Sequence, residues 1–312
     1  MIRLKNKPVI YIVGPTASGK TAVSVQVAKH FGAEIISADS MQVYKNMHIA
    51  SAAPNEDEKQ GVPHHMFEFL SPNENFSVSQ YVDMAKTFID DVHSRGKIPI
   101  IVGGTGLYVS SLSENVCFGD EEDKYSARAA LEERAEFEGL AELYEYLKLI
   151  DPISAEKISP NDKKRILRAI EIFEISGKTK SERDALSKQN GSSYENLFIG
   201  LTYKDRDILY NRINQRVDLM LENGLVDEAK AAYNTNLGTA AQAIGHKELF
   251  KYFGGEMPLE TAIDHLKTQT RHYAKRQLTW FRKNEEICWV NMDEDENPVN
   301  TIINIVSDFL NN

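Results

Sequence analysis

Residues 14–21 have the types and spacing needed to hold a phosphate group. They match the pattern G-x-x-x-x-G-K-[ST] at every fixed position. Glycines let the backbone wrap around a phosphate, and successive N–H groups at a helix N-terminus supply positive potential. Lys20 is expected to reach the terminal phosphate, and the Thr21 hydroxyl is expected to ligate Mg²⁺. The sequence therefore predicts a phosphate-binding P-loop made of Gly14, Pro15, Thr16, Ala17, Ser18, Gly19, Lys20 and Thr21.

Two further polar segments are expected beside this loop, because ligands of open α/β sheets bind outside the carboxyl ends of the strands. One segment contains Asp39, and the other is a glycine turn that contains Thr105. From residue type alone, Asp39 is either a catalytic group or a turn residue. ATPases and GTPases usually hold Mg²⁺ with an acid at the end of a second apolar strand, and the strand before Gly103 carries none. Group transfer is therefore favoured over motor-type hydrolysis.

The elements that position these residues alternate between strands and helices. Short apolar runs predict strands at 8–13, 34–37, 98–102 and 197–203 and an edge strand at 287–290. Helical spacing predicts helices at 19–30, 81–93, near 205–223, 225–235 and 258–283, and a last one ending near Phe309. This order predicts an α/β fold with a P-loop and a doubly wound, mainly parallel sheet.

A helical insertion domain is expected within this sheet. Ten acidic residues lie between positions 120 and 145, and helical periodicity without a good strand continues over 161–189. The predicted organisation is a first core part at 1–118, an insertion at 119–196 and a mostly helical second core part at 197–312.

The composition excludes several classes of protein. Of 312 residues, 42% are hydrophobic and 26% are charged, which rules out a disordered or collagen-like chain. The formal charge of −10 argues against non-specific binding to nucleic acid, although it allows a local basic patch. Cys117 and Cys288 have no metal-ligand spacing and suit a reduced, cytoplasmic chain. The apolar run at 9–13 is too short for a signal peptide or a membrane span, so no membrane partner is expected.

Several motifs together resemble the tRNA dimethylallyltransferase (IPP transferase) family. Beside the P-loop they lie at 37–44, 61–65, 102–108, 161–165, 212–218, 243–245 and 270–280. The resemblance implies an enzyme that transfers a dimethylallyl group from dimethylallyl diphosphate to tRNA and releases pyrophosphate. The acceptor is the exocyclic amine of the adenosine 3′ of the anticodon. The implied partners are the donor, Mg²⁺ and the tRNA anticodon stem-loop, and the chain is expected to act as a monomer.

The resemblance also implies roles for individual residues. The P-loop would hold the diphosphate of the donor, and Asp39 would be the general base. Thr105 and Arg212 would act on the diphosphate as charge develops. The residues assigned to tRNA are Asp39, Ser40, Met41, Gln42, Arg128, Lys164, Arg165, Arg168, Gln242, Lys247, Lys267, Arg271 and Lys275. The chain departs from the family pattern at 48–54 and at His246, where a tyrosine is usual.

A basic stripe reconciles the acidic chain with an RNA partner. Positions 265–284 contain no Asp or Glu, and Lys267, Arg271 and Lys275 recur every four residues. We expect them to form one exposed helical face that tracks phosphates, although a solvated face without a ligand has the same pattern. The adjacent His64 and His65 are better explained by a loop or core role than by a metal site.

Three other functions remain open at this point. An isopentenyltransferase acting on free adenine nucleotides shares the chemistry, and a P-loop small-molecule kinase shares Lys20 and Thr21. The third is an RNA-binding protein that is gated by a nucleotide and has no catalytic activity. Asp39 and Thr105 at converging strand ends favour an enzyme over the third function.

Overall fold

A computed structural model describes residues 7–116, 124–189, 192–235 and 237–311. Cys117 and the acidic residues at 120–123 lie outside this part of the chain. Six strands form one sheet: β1 (Pro8–Val13), β2 (Glu34–Ser37), β3 (His64–His65), β4 (Pro99–Gly103), β5 (Glu195–Thr202) and β6 (Cys288–Asn291). Their order is β3-β2-β4-β1-β5-β6, and every pairing is parallel. The predicted parallel α/β sheet, with its edge strand near residue 288, is confirmed.

The described chain divides into two compact units, of residues 1–113 with 193–312 and of residues 114–192. In the first unit the helices are α1 (Lys20–Phe31), α2 (His48–Ser51), α3 (Glu56–Lys59), α4 (Val78–Ser94), α5 (Gly106–Ser113), and, after the second unit, α11 (Arg206–Glu222), α12 (Leu225–Tyr233), α13 (His246–Phe253), α14 (Leu259–Phe281) and α15 (Pro298–Asn311). A 3₁₀ turn at Thr239–Gln242 precedes α13. None of the helices in the described ranges is long and apolar enough to cross a membrane.

The second unit is helical and has its own apolar core. Its helices are α6 (Lys124–Phe137), α7 (Leu140–Ile150), α8 (Pro152–Lys157), α9 (Lys163–Ser176) and α10 (Lys180–Gln189). The fully buried Leu131, Leu143, Leu147, Ile166 and Ile170 fill the space between α6, α7 and α9. Because these contacts are made within the unit, it buries its apolar faces without a strand.

The first unit brings the carboxyl ends of its central strands close together. Strand β1 lies between β4 and β5, and all six of its residues are buried. Glycines allow this proximity, because a Cβ atom on Gly14 would lie 2.6 Å from the Leu201 carbonyl oxygen. A Cβ atom on Gly103 would lie 2.2 Å from the Ala38 carbonyl oxygen. The segments that follow β1, β2 and β4 are therefore neighbours at one edge of the sheet.

Candidate active site

A cavity of about 770 Å³ lies where these segments meet, and it brings together most of the site residues expected in this unit. Thr16–Thr21 of the P-loop and residues 39–42 after β2 form one part of its wall, and α2, α11 and α14 contribute other parts. Arg212, Gln242 and Lys247, which the sequence also singles out, line it as well. Thr105, Lys267, Arg271 and Lys275 are not among the lining residues.

The P-loop is held by two cationic side chains. Lys20 is the first residue of α1, and its Nζ donates to the carbonyl oxygens of Gly14 (3.0 Å) and Pro15 (2.8 Å). Arg212 Nε donates to the Ala17 carbonyl oxygen at 3.0 Å. Burial lowers the pKa of Lys20 to about 7, and the charge of Arg216 lowers it further, against the opposing effect of Asp39. Two basic side chains are thus already directed at the loop that the sequence predicts to bind phosphate.

Gln277 of α14 fixes the P-loop against the glycine turn after β4. Its Oε1 accepts a hydrogen bond from the Thr16 N–H at 2.9 Å, and its Nε2 donates to the Gly104 carbonyl oxygen at 3.0 Å. A Cβ atom on Gly104 would lie 2.1 Å from Gln277 Nε2, so this contact requires glycine. Sequence reasoning missed this role, although Gln277 lies within the motif at 270–280.

Asp39 is oriented by its own turn. Its Oδ1 accepts the Met41 N–H at 2.9 Å, which fixes the carboxylate beside the cavity. Within the described ranges no residue donates a hydrogen bond to its Oδ2. The turn residue and the candidate base are thus the same residue, so the two interpretations of Asp39 do not exclude each other.

Thr105 supports the segment that carries Asp39. Its Oγ1 accepts the Ser40 N–H at 3.0 Å, and its N–H donates to the Ala38 carbonyl oxygen at 3.1 Å. Nearby, burial raises the pKa of the Tyr273 phenol well above its usual range, and the charge of Asp39 raises it further. In the structure, Thr105 connects two strand ends, and its expected role toward a diphosphate stays a prediction.

Arg216 is a third cationic side chain at the site, and sequence reasoning left it without a role. It lies one turn after Arg212 on α11, and both line the cavity. Burial lowers the pKa of Arg216, while the carboxylates of Asp39 and Glu58 oppose that change. The i, i+4 spacing of these two arginines was the available signal.

Two of the three members of the expected exposed stripe on α14 are half-buried and paired. Lys267 Nζ lies 2.6 Å from Asp218 Oδ1, and Arg271 donates to Asn214 Oδ1 at 2.7 Å. Both partners belong to α11, which packs against α14. Lys275 is exposed. The assignment of all three residues to tRNA stays a prediction.

Three of the four basic residues of the second unit that are assigned to tRNA pair with acids nearby in the sequence. Arg128 donates to Glu132 at 2.9 Å and Arg168 to Glu171 at 2.8 Å, and Arg165 lies 3.4 Å from Asp162. Lys164 and Arg165 are exposed. Their proposed contact with tRNA also stays a prediction.

The two departures from the family pattern meet in the structure. The 48–54 segment contains α2, whose Ile49 and Ala50 N–H groups donate to Glu228 at 2.9 and 3.0 Å. His246 Nε2 lies 2.9 Å from the same carboxylate, and His246 is fully buried. Burial raises the pKa of Glu228, but the hydrogen bonds from His246 and from α2 outweigh it and keep that pKa low. His246 therefore has a local structural partner.

The adjacent His64 and His65 form strand β3. His65 Nε2 lies 2.8 Å from Glu34 Oε2, and His64 Nδ1 lies 2.8 Å from the Val62 carbonyl oxygen. In the part of the chain that the structure describes, no group of three or more His, Cys, Asp or Glu is placed to hold a metal ion.

Comparison with known proteins yields consistent matches. The family model described as IPP transferase matches residues 42–284. A curated tRNA dimethylallyltransferase of Caldanaerobacter subterraneus subsp. tengcongensis is 47% identical over 291 residues, covering 92% of each chain. That of Bacillus subtilis (strain 168) is 46% identical over 288 residues, covering 92% of this chain and 91% of its own.

Solved structures of similar proteins cover almost the whole chain. The tRNA isopentenylpyrophosphate transferase of Bacillus halodurans superposes with a TM-score of 0.74 at 42% identity, over 98% of this chain and 97% of its own. A eukaryotic dimethylallyltransferase, described as acting on tRNA, superposes with a TM-score of 0.81 at 32% identity. That match covers 97% of this chain and 79% of the eukaryotic chain.

Proposed function

This chain belongs to the IPP transferase family, and from that premise we propose that it transfers a dimethylallyl group from dimethylallyl diphosphate to tRNA. The observation that carries the proposal is the cavity lined by both the P-loop and Asp39. A donor diphosphate bound to the loop and an amine beside the carboxylate would meet in that one space. Neither a small-molecule kinase nor a transferase acting on free nucleotides is favoured by the curated relatives.

In the proposed reaction the P-loop holds the diphosphate. Lys20 exchanges its two loop carbonyls for phosphate oxygens, and Arg212 and Arg216 add positive charge from α11. Charge develops on the leaving pyrophosphate as the allylic C–O bond breaks, so preorganised cations act where they stabilise the transition state most.

Asp39 acts as the general base. The exocyclic amine of adenosine attacks the allylic carbon, a C–N bond forms, and the amine loses a proton to the carboxylate. The Met41 N–H holds Oδ1, and Oδ2 receives the proton. The charge of Asp39 opposes the effect of burial on the pKa values of Lys20 and Arg216, so the candidate base and the cations that would hold the diphosphate are electrostatic neighbours in one cavity.

The residues of the P-loop fit a bound Mg²⁺. Thr21 lines the cavity next to Lys20, and hydroxyl oxygens are ligands that Mg²⁺ accepts. Mg²⁺ is usually held by one or two protein oxygens together with substrate phosphates and water, so a cluster of acids is not required. Thr21 would hold the ion, which would supply positive charge to the diphosphate.

The acceptor is the adenosine 3′ of the anticodon, presented by the anticodon stem-loop. Extruding a base costs least in a single-stranded loop. Ser40, Met41 and Gln42 line the cavity beside Asp39 and would contact the extruded adenine. The chain acts as a monomer in the cytoplasm, where its tRNA substrate is found.

The test is to follow label from the donor. We expect dimethylallyl diphosphate labelled in the prenyl group to label tRNA, with release of pyrophosphate and no transfer from γ-labelled ATP. Anticodon stem-loop RNA and free adenine nucleotides serve as matched acceptors. Label on free nucleotides, or phosphate transfer from ATP to a small molecule, would overturn the proposal.

A further inference from the structure

The short helix α2 is capped by a residue far away in sequence. The first-turn N–H groups of a helix have no partner within the helix, and Met47, which precedes α2, provides no side-chain cap. Glu228 of α12 supplies the cap instead, since its Oε2 accepts the Ile49 N–H at 2.9 Å and its Oε1 accepts the Ala50 N–H at 3.0 Å. Helix α2 is thus fixed at its N-terminal end by one carboxylate.

His246 fixes that carboxylate in turn. Its Nε2 donates to Glu228 Oε1 at 2.9 Å, and its Nδ1 is buried with no hydrogen-bond partner in the described structure. A buried N–H at Nδ1 would lack an acceptor, so the proton is on Nε2. Oε1 therefore accepts two hydrogen bonds and has little freedom to rotate.

The other end of α2 leads to the candidate base. Gln42 Nε2 donates to the Ala52 and Ser51 carbonyl oxygens at 3.3 and 3.5 Å. Gln42 Oε1 accepts the Ser37 hydroxyl at 2.9 Å, and that hydroxyl accepts the Asp39 N–H at 3.3 Å. A continuous set of hydrogen bonds therefore runs from His246 through Glu228, α2 and Gln42 to the backbone of Asp39.

We infer that Glu228 is a positioning residue for the transferase reaction, acting through α2 and Gln42 on Asp39. This inference rests on the proposed function. Glu228 does not line the cavity, whereas Ala50, Ser51 and Ala52 of the segment it holds do. Its effect on turnover is therefore indirect. A displacement of about 1 Å at a reacting group can cost up to 10²-fold in rate, so such a contact can matter without touching substrate.

The variant Glu228→Gln keeps the shape and removes one acceptor, so at least one backbone N–H of α2 faces an amide donor. We expect kcat, measured with saturating tRNA and donor, to fall about tenfold, with each KM changed less than threefold. Glu228→Asp, which keeps the charge, is expected to recover part of the loss.

Asp151→Asn is a matched control for stability. Asp151 is a buried carboxylate of the second unit that also accepts two backbone N–H groups, from Ser154 and Ser181, each at 3.0 Å. Both variants are expected to lower Tm, and only Glu228→Gln is expected to lower kcat. A normal kcat in Glu228→Gln with a lowered Tm would make Glu228 merely structural and overturn the inference.

A double-mutant cycle with Gln42→Leu tests the path. If Glu228 acts through Gln42, the double variant loses no more kcat than the worse single variant. If the kcat losses of the two single variants multiply in the double variant, Glu228 does not act through Gln42, and the inference is overturned. Wild-type protein and Asp39→Asn are assayed beside them. An inactive wild type refutes the proposed function itself. If the wild type is active and Asp39→Asn is impaired, a normal kcat in Glu228→Gln refutes only the role of Glu228.

Discussion

Replacing Gln277 by leucine is expected to weaken both the fold and the binding of a diphosphate. Leucine fills a similar volume but offers neither an acceptor for the Thr16 N–H nor a donor for the Gly104 carbonyl. Gln277 is 5% exposed, and Gly104 is buried, so water replaces the second hydrogen bond poorly. The P-loop would then lose its link to the turn after β4.

The size of the effect follows from the burial of the two contacts. A buried group left without a partner costs about 1–3 kcal/mol, and a part-buried hydrogen bond contributes about 1 kcal/mol. Together they lower the free energy of unfolding by about 2–4 kcal/mol. In the variant, binding of the diphosphate must also restore the order of the loop. If this takes a third to a half of the lost ~2–4 kcal/mol, the Kd rises roughly tenfold, since tenfold corresponds to about 1.4 kcal/mol.

Denaturant unfolding measures the first quantity, and calorimetric titration with dimethylallyl diphosphate in the absence of tRNA measures the second. Trp280→Phe is the matched control, because it removes another hydrogen bond of α14, from Trp280 Nε1 to Ser110 Oγ at 3.0 Å, without changing a contact of the P-loop. It should lower stability and retain the affinity for dimethylallyl diphosphate. An unchanged Kd in Gln277→Leu, despite lower stability, would refute the claim that Gln277 places the loop.

Three other changes test separate contacts. Asp39→Asn keeps the shape without the basicity, so turnover should fall by roughly 10²–10⁴ while tRNA affinity, measured by filter binding, is retained. Although Glu34 is buried, hydrogen bonds from Arg95 keep its pKa at about 2. Its contribution to stability is therefore complete above its ordinary pKa of 4.5 and is lost as the pH falls toward 2. Unfolding of Glu34→Gln should lack that pH dependence, which amounts to roughly 3 kcal/mol. Lys275→Gln should flatten the slope of log K against log salt for tRNA by roughly 0.7–0.9, and Lys267→Gln by less, because its ammonium group is already paired.

Each of these has a contrary outcome. Near-normal turnover in the Asp39 variant would reduce Asp39 to a turn residue. An acid transition unchanged by Glu34→Gln would mean that other carboxylates govern acid unfolding. Equal salt slopes for Lys267→Gln and Lys275→Gln would mean that the ion pair with Asp218 opens when tRNA binds.

Most of the sheet could be predicted because five of its six described strands carry their own apolar signal. Strand β1 is a run of buried apolar residues that stops at Gly14, and the predicted limits of 8–13 match it. Strand β3 has only two residues, His64 and His65, and exists through pairing with Ile35 and Ile36 of β2. Helix α2 has four residues and depends on Glu228. Such elements are set by distant contacts, so local periodicity cannot reveal them.

The candidate site follows the same division. The P-loop and Asp39 could be placed together because parallel strands bring the ends of β1 and β2 to one edge of the sheet. The environment of Arg271 could not be predicted, since its partner Asn214 lies 57 residues away on α11. Identical spacing suits an exposed stripe or a helix interface, and only the packing of α11 on α14 distinguishes them.

The chain leaves the first unit after Ser113 and returns to it at Ser193, and a hydrogen bond joins the residues near these two points. Asn196 Nδ2 in β5 donates to the carbonyl oxygen of Ser113 at the end of α5, at 3.4 Å. Because the exit and re-entry points are already joined, replacing residues 114–192 by a short Gly/Ser linker adds little loop-closure entropy. We therefore expect the first unit to fold, and to bind dimethylallyl diphosphate, when residues 114–192 are replaced in this way.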